Sequence, residues 1–502
     1  MLTEIKNFQK RINKIRLKKK LVLCHGVFDL VHLGHIKHFK KAKSYGDYLI
    51  VSLTSNKYIK KGPGRPIFNQ NQRLEFLKEI KIIDEVLISS SASAEDIIKL
   101  VKPDFYVKGP DYKNNIEDKT GKIKTEKKLV EKFGGKIKYT NDEVFSSSSI
   151  INSGNFLFNE DQKNFVNKIK KKFSYNQIYN LIQKFKNLKI MIVGEVIIDK
   201  YCFGETIGKS GKEPHLVLSQ KDEEYYVGGS GAVARHISTF ANKINLISPL
   251  GKEKIFKKIL KNNLNKNIIS NFIYPYSGYK TILKTRFVDR ISNYKLFGSY
   301  VLPERASLKF EKDIKNIIKK NSKEVDMILV CDYGHKFISD DIAKNIKKTK
   351  KFVYVNAQIN AANIGYHTIN KYHGVNSIII NENELRQELR DNKTDIKSLA
   401  KKLIAQKKVK KLIVTQGKKG VLLVDNKFNF YKCPAFAKKS VDKVGAGDSM
   451  LAITSMGLKL NLDPELILFL GSIAAAISVE NIGNKTNISF EKIDRILEYI
   501  LK

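Results

Sequence analysis

Short apolar runs punctuated by charged or glycine-containing turns dominate the chain, and Leu21-Val22-Leu23 is the first of them. Tyr48-Leu49-Ile50-Val51-Ser52-Leu53 and Phe105-Tyr106-Val107 have the length and apolarity of strands buried on both faces, and the stretch 71–80 between them has helical spacing. Such alternation from Lys20 to about Ile151 predicts a parallel sheet with helices on both faces. From Asn155 to Lys189 the chain is rich in lysine and asparagine, and Phe165, Ile169, Phe173 and Ile178 recur at helical intervals, which predicts a helical connector. A fresh strand is expected at Lys189-Ile190-Met191-Ile192-Val193-Gly194, after which strand and helix alternate to the C-terminus. The longest apolar run, Leu466 to Val479, is too short to cross a bilayer and is expected to be a buried helix. The pattern therefore predicts an α/β domain over 1–152, a connector over 153–186 and a second α/β domain over 187–502. No short-period repeat suggests a solenoid.

Composition changes this picture little. A length of 502 residues suits two domains, and an apolar share of 42% is enough for packed cores. The formal charge of +42 raises nucleic acid as a partner. Lysine far outnumbers arginine, however, and is spread over the whole chain, so a solvated basic surface is expected rather than a nucleic-acid stripe. Such a surface still favours an anionic, phosphorylated substrate. The cysteines Cys24, Cys202, Cys331 and Cys433 lie far apart with no CxxC pair, which argues against a zinc site or a disulfide framework and suits a reducing compartment. The first twenty residues are polar and basic, so no secretory leader and no membrane partner are expected, and a cytoplasmic location is.

Candidate chemistry opens at Cys24-His25-Gly26-Val27-Phe28-Asp29-Leu30-Val31-His32-Leu33-Gly34-His35. A strand entering a glycine-containing turn and then His-x-Gly-His at a helix start can turn two imidazoles and first-turn amides toward phosphates. This segment resembles the signature of the cytidylyltransferase-like nucleotidyltransferases. Further segments follow in family order: Lys61-Gly62-Pro63-Gly64-Arg65-Pro66 with Gln72-Arg73, Ile83-Asp84-Glu85-Val86, Pro103 to Tyr112, and Phe145-Ser146-Ser147-Ser148-Ser149. An arginine often found before the second of these is absent, and Lys81 lies nearby. The resemblance implies a Rossmann-like fold in which a phosphate oxygen attacks the α-phosphorus of a nucleoside triphosphate, ATP or CTP, and pyrophosphate leaves. It assigns catalysis to His32 and His35. Nucleotide binding would fall to Gly26, Phe28, Gly34, Lys61, Arg73, Ser146, Ser147 and Ser148, with Mg²⁺ escorting the triphosphate. Lys108 and Asp111 would border the substrate.

The second domain has its own glycine-rich turn, Val441-Asp442-Lys443-Val444-Gly445-Ala446-Gly447-Asp448, leading into a helix. Unblocked amides at a helix start can hold a transferring phosphoryl group, and an aspartate there can take the proton of an attacking hydroxyl. With Val414-Thr415-Gln416-Gly417-Lys418-Lys419-Gly420 and Asn381-Glu382-Asn383-Glu384 upstream, the turn resembles the ribokinase (PfkB) family of sugar kinases. The resemblance implies a ribokinase-like α/β fold, Asp448 as catalytic base, and nucleotide contacts at Asn381, Glu384, Thr415, Gly417, Gly420, Gly445, Ala446 and Gly447. Glu384 would orient the water shell of Mg²⁺, while Asp199, Gly228 and Gly229 would bind the sugar. Asp332-Tyr333-Gly334 would belong to the same site. Two positions depart from the family: Ala232 replaces an asparagine, and Asn356-Ala357-Gln358 stands where Asp-Pro-Lys is common.

Together the domains resemble the bifunctional heptose kinase–nucleotidyltransferases of lipopolysaccharide-precursor synthesis, with the domain order reversed. The expected partners are a nucleoside triphosphate and a sugar phosphate, and a homo-oligomer is compatible with the pattern. Two alternatives stay open: a nucleotidyltransferase whose kinase-like domain only binds or regulates, and a basic nucleic-acid-binding protein using these folds as scaffolds.

Overall fold

The computed structural model describes residues 2–59, 66–91, 93–109, 122–140, 158–276, 278–303, 308–437, 441–442, 444–480 and 483–501. The chain divides into two compact units, Met1–Asn159 and Glu160–Lys502.

In the first unit β1 (Leu21–Gly26), β2 (Tyr48–Thr54), β3 (Glu85–Ser89), β4 (Phe105–Lys108) and β5 (Lys136–Tyr139) form one parallel sheet in the order β3-β2-β1-β4-β5. Successive side chains of a strand point to opposite faces. Val22, Cys24, Leu49 and Val51 therefore pack with Phe39 and Leu77 of the helices Leu33–Lys43 and Gln70–Lys78. Leu21, Leu23 and Ile50 pack with Ile97, Ile98 and Val101 of helix Glu95–Val101 on the other face. Both faces are covered, as the apolar runs require. The chain leaves β1 for β2 on one side and returns to β4 on the other. This reversal opens a crevice beyond the carboxyl ends of β1 and β4.

The second unit holds two sheets. One has nine strands: β6 (Lys189–Gly194), β9 (Lys243–Pro249), β10 (Ile268–Ile273), β13 (Met327–Asp332), β14 (Phe352–Ala357), β15 (Ser377–Asn381), β16 (Lys411–Thr415), β17 (Val421–Asp425) and β18 (Phe430–Cys433). Their order is β10-β9-β6-β13-β14-β15-β16-β17-β18, parallel from β10 to β16 and antiparallel beyond. The direction of growth reverses between β6 and β13, which places a second crevice at their carboxyl ends. The other sheet, β12-β11-β7-β8, comprises β7 (Val196–Lys209), β8 (Leu216–Gly229), β11 (Ile282–Asp289) and β12 (Lys295–Val301). β7 starts two residues after β6 ends, so this sheet stands beside that crevice.

The expected connector looks different in the structure. Helices Glu160–Lys172 and Tyr175–Gln183 are part of the second unit rather than a span between units. Phe165 packs 6.1 Å from the Phe469 ring, Lys172 Nζ lies 2.8 Å from Glu465, and Tyr175 donates to Asp494 at 2.6 Å. The two helices dock on helix Phe490–Leu501 as well as on helix Pro464–Val479, which is itself buried along nearly all its length as expected. Among the described residues no helix is long and apolar enough to cross a membrane.

Candidate functional site

In the first unit the chain leaves β1 at Gly26 and turns through Phe28, whose φ of +49° is left-handed. The Phe28 ring packs against His35 and Phe39 at 5.5 and 5.3 Å between centroids, fixing the turn to the following helix. His32 caps that helix. Its Nδ1 accepts from Gly34 N at 3.1 Å, while His35 Nδ1 accepts from His32 N at 3.3 Å. The two rings stand 4.0 Å apart. Because both Nδ1 atoms accept backbone protons, each neutral ring carries its own proton on Nε2, where it can be donated to a phosphate oxygen. Burial pulls the His32 pKa below the ordinary value and so favours the neutral ring. The histidine pair, Gly26, Phe28 and Gly34 thus meet at the crevice beyond β1.

Two expected phosphate or substrate contacts are used otherwise. Arg73 is buried, and its guanidinium donates to the carbonyls of Val27 (2.5 Å), Thr54 (3.0 Å) and Phe68 (3.1 Å) and to Asn56 Oδ1 (2.8 Å). It ties together the loops after β1 and β2 and is a positioning residue for the histidine turn. Arg73→Met is expected to destabilise the protein by roughly 3 kcal/mol, because it leaves inward-facing carbonyls without a donor. Urea unfolding would check this, and a loss below about 0.5 kcal/mol, the scale of an ordinary surface substitution, would refute it. Lys108, the last residue of β4, is buried and its Nζ lies 3.1 Å from Glu126. Lys61, Asp111, Ser146, Ser147 and Ser148 lie outside the described residues.

The second unit contains a cavity of about 750 Å³ between the carboxyl edge of the nine-stranded sheet and the four-stranded sheet. Asp199, Gly229, Gly445, Gly447 and Asp448 all line it, so the two ends of the unit's sequence motifs converge there. Asp448 sits in the first turn of helix Ala446–Lys459, and Tyr333 donates to its Oδ1 at 2.9 Å. Burial, with the nearby charge of Asp199, pushes the Asp448 pKa up to about 6. Gly445 caps this helix with φ +88°, and a Cβ there would collide with Asn484. Gly228 likewise leaves room for the Asp199 carboxylate, which a Cβ would strike. Arg286 from β11 holds Asp199 Oδ1 at 2.6 Å.

Behind these groups lies a charged network that the Asp332-Tyr333-Gly334 motif announced only in part. Glu195, fully buried between β6 and β7, accepts from Tyr333 N at 3.0 Å and His335 N at 3.1 Å, and so aims Tyr333 at Asp448. Burial, reinforced by the charge of Asp332, raises Glu195 to about 7. Burial also opposes ionisation of Asp332, but Lys371 Nζ at 2.8 Å and the Tyr372 hydroxyl at 2.6 Å outweigh it and hold that carboxyl low.

The expected nucleotide residues end neighbouring strands. Asn381 and Glu384 form a reciprocal cap after β15, and Glu384 also accepts from Ile359 N at 3.1 Å. Burial raises Glu384 to about 7. Thr415 closes β16. Gly417 and Gly420 follow in left-handed backbone, and Gln416 bonds Glu382 at 3.0 Å. Of the departures, Ala232 is buried in helix Ser230–Ile237, and Asn356 donates to Ile379 O at 3.1 Å. Sequence reasoning missed Lys284, Arg286 and Lys295, which reach the cavity from the four-stranded sheet. Their only signal is the i, i+2 placement of Lys284 and Arg286 on one face of a strand.

A parallel sheet with an aspartate-bearing helix start at its carboxyl edge, beside a smaller sheet, is the architecture of a sugar kinase. The chain belongs to the pfkB family of carbohydrate kinases, matched over residues 187–490, and carries a cytidylyltransferase-like domain matched over residues 23–153. Its relatives include proteins named bifunctional protein HldE. The one from Aliarcobacter butzleri is 39% identical over 142 residues, covering 27% of this chain and 29% of the relative. Those from Campylobacter curvus and Haemophilus influenzae PittEE are 24% and 25% identical, covering 62% and 60% of this chain and 65% and 62% of the relatives. Each match thus spans less than two thirds of the relative's length. Phosphofructokinase-2 from Escherichia coli aligns with a TM-score of 0.52 at 16% identity, over 63% of this chain and 100% of that one. Ribokinase from Thermotoga maritima aligns at 0.51 and 20% identity, over 62% and 99%. At these identities the structures share the fold of the second unit.

Proposed function

We propose that the chain is a bifunctional enzyme of nucleotide-activated sugar synthesis. The second unit phosphorylates a hydroxyl of a heptose-like sugar or sugar phosphate with ATP. The first transfers a nucleotidyl group from ATP or CTP to a sugar phosphate and releases pyrophosphate. The observation that carries this reading is Asp448 at a helix start, held by Tyr333 at the floor of a cavity that also contains Asp199. Asp199 orients the sugar hydroxyls, Asp448 takes the proton of the attacking one, and the amides at Gly445 to Gly447 receive the transferring phosphoryl group.

Glu384 fits a role toward Mg²⁺ through water. Both its oxygens already accept backbone protons, and each retains a lone pair for a further donor such as a metal-bound water. Bound with the nucleotide, Mg²⁺ would neutralise phosphate charge. In the first unit the Nε2 protons of His32 and His35 would stabilise the α-phosphoryl group as the sugar phosphate attacks and pyrophosphate departs.

Mass spectrometry of the products formed from Mg-ATP and a panel of sugars and sugar phosphates, heptose 7-phosphate included, tests the reading. A bisphosphate from the heptose phosphate supports heptose activation, and a product from another sugar keeps both activities and changes the substrate. No phosphorylated product would favour a kinase-like binding module, to which Ala232 and Asn356 point. The acid limb gives an independent check. Asp448 must be ionised to act, so kcat/KM of the kinase is expected to rise through about pH 6, falling about tenfold per unit below it. A profile flat down to pH 5 would remove Asp448 as the base.

A further inference from the structure

Lys284 is the residue of the second cavity whose chemistry no motif explains. It lies on β11, is 7% exposed, and lines the same cavity as Gly447 and Asp448. Among the described residues its side chain has no hydrogen bond and no ion pair, and its Nζ lies 5.2 Å from the centre of the Tyr300 ring. The other cations of this wall are engaged: Arg286 with Asp199 and Lys295 with Asp442, each at 2.6 Å. Burial holds the Lys284 ammonium below the ordinary lysine range, although the charges of Asp199, Glu195 and Asp448 act to retain its proton and that of Arg286 opposes it. Burying an ammonium without a counter-ion is costly, so a site that keeps one is arranged for an anion that arrives later.

We propose that Lys284 is a catalytic cation of the kinase reaction, its ammonium binding the phosphoryl group in flight between ATP and the acceptor hydroxyl. The inference rests on the kinase reading of this site. In the step, the acceptor oxygen bonds to the γ-phosphorus, the bond from that phosphorus to the β–γ bridging oxygen breaks, and ADP departs. The hydroxyl proton goes to Asp448. Lys284 forms and breaks no covalent bond and keeps its own proton. Its position favours the transferring group because the carboxylates whose field it shares, Asp199 and Asp448, are those that hold the accepting hydroxyl. From the four-stranded sheet it faces the helix start at Gly445 to Gly447, so charge on the phosphoryl oxygens is met from two sides.

The test compares the full-length protein with Lys284→Met and Lys284→Arg. Loss of the cation is expected to lower kcat about 10²- to 10³-fold, with KM for ATP changed less than about threefold, and arginine is expected to recover most of the rate. A KM effect confined to acceptors that already carry a phosphate, with kcat intact, would overturn the proposal in favour of a binding contact to that phosphate. Calorimetric titration with Mg-ADP, with and without aluminium fluoride as a mimic of the planar phosphoryl group, gives a second readout. The parent is expected to bind ADP more tightly with the fluoride, and Lys284→Met to bind ADP alike but lose that gain. A gain retained in the variant overturns the role of Lys284 and leaves the kinase reading standing. Absence of any ADP binding by the parent overturns the kinase reading itself, and the inference with it.

Discussion

Asp448→Asn is expected to lower ATP-dependent sugar phosphorylation by roughly 10²- to 10⁴-fold while pyrophosphate release by the first unit proceeds at the parent rate. The substitution is close to isosteric. Asparagine still offers an oxygen to the Tyr333 hydroxyl, which donates to Asp448 Oδ1 at 2.9 Å, so the helix start and the cavity keep their shape. What disappears is the acceptor for the hydroxyl proton, together with a buried charge whose neutral form the surroundings already favour. The effect should therefore fall on kcat rather than on folding, which a denaturation curve matching the parent would verify. Coupled assays for ADP and for pyrophosphate separate the two activities. Equal phosphorylation by variant and parent would remove Asp448 from the mechanism.

The second large effect is expected in the first unit. His32 and His35 stabilise their helix as well as offering Nε2 protons, so alanine would confound two losses: a missing helix cap costs about 1 kcal/mol. His32→Asn and His35→Gln keep an acceptor near Gly34 N and His32 N while withdrawing the imidazole donor. Each is expected to reduce nucleotidyl transfer by roughly 10²- to 10³-fold, the scale of one lost donor to a developing charge. Sugar phosphorylation should be unchanged. A folded His32→Asn protein that releases pyrophosphate at the parent rate would show that the ring does no more than cap the helix.

The positions legible in the sequence share one property. Gly26, His32 and His35, and Asn381 and Glu384 sit where a strand meets a helix, Gly445 to Asp448 sit at a helix start, and the geometry of such a turn is set by a few adjacent residues. Backbone conformation, cap and chemistry are there encoded together. Arg73 and Lys108 were read for their charge, which is correct, but a charge alone does not reveal its partner. Arg73 meets carbonyls 46 and 19 residues away in sequence, at Val27 and Thr54. Lys108 meets Glu126 of the helix Lys122–Lys132. The stretch 160–183 was correctly helical, yet its apolar stripe carried no label saying which surface it covers.

By itself the sequence determined the α/β class of both units and the two motif-bearing turns, because hydrophobic period, glycine placement and helix capping act over a few residues; the break after Asn159 was settled by the packing of helices Glu160–Lys172 and Tyr175–Gln183 into the second unit. Only the tertiary structure decided that β7, β8, β11 and β12 form a separate sheet, that Glu195 clamps the loop bearing Tyr333, and that Lys284 faces Asp448 across a cavity. Those relations join residues 138 and 164 positions apart in the chain for Glu195 with Tyr333 and Lys284 with Asp448. Burial and charge neutralisation depend on which distant surfaces close on one another, and that is settled by packing of the whole unit rather than by any local pattern.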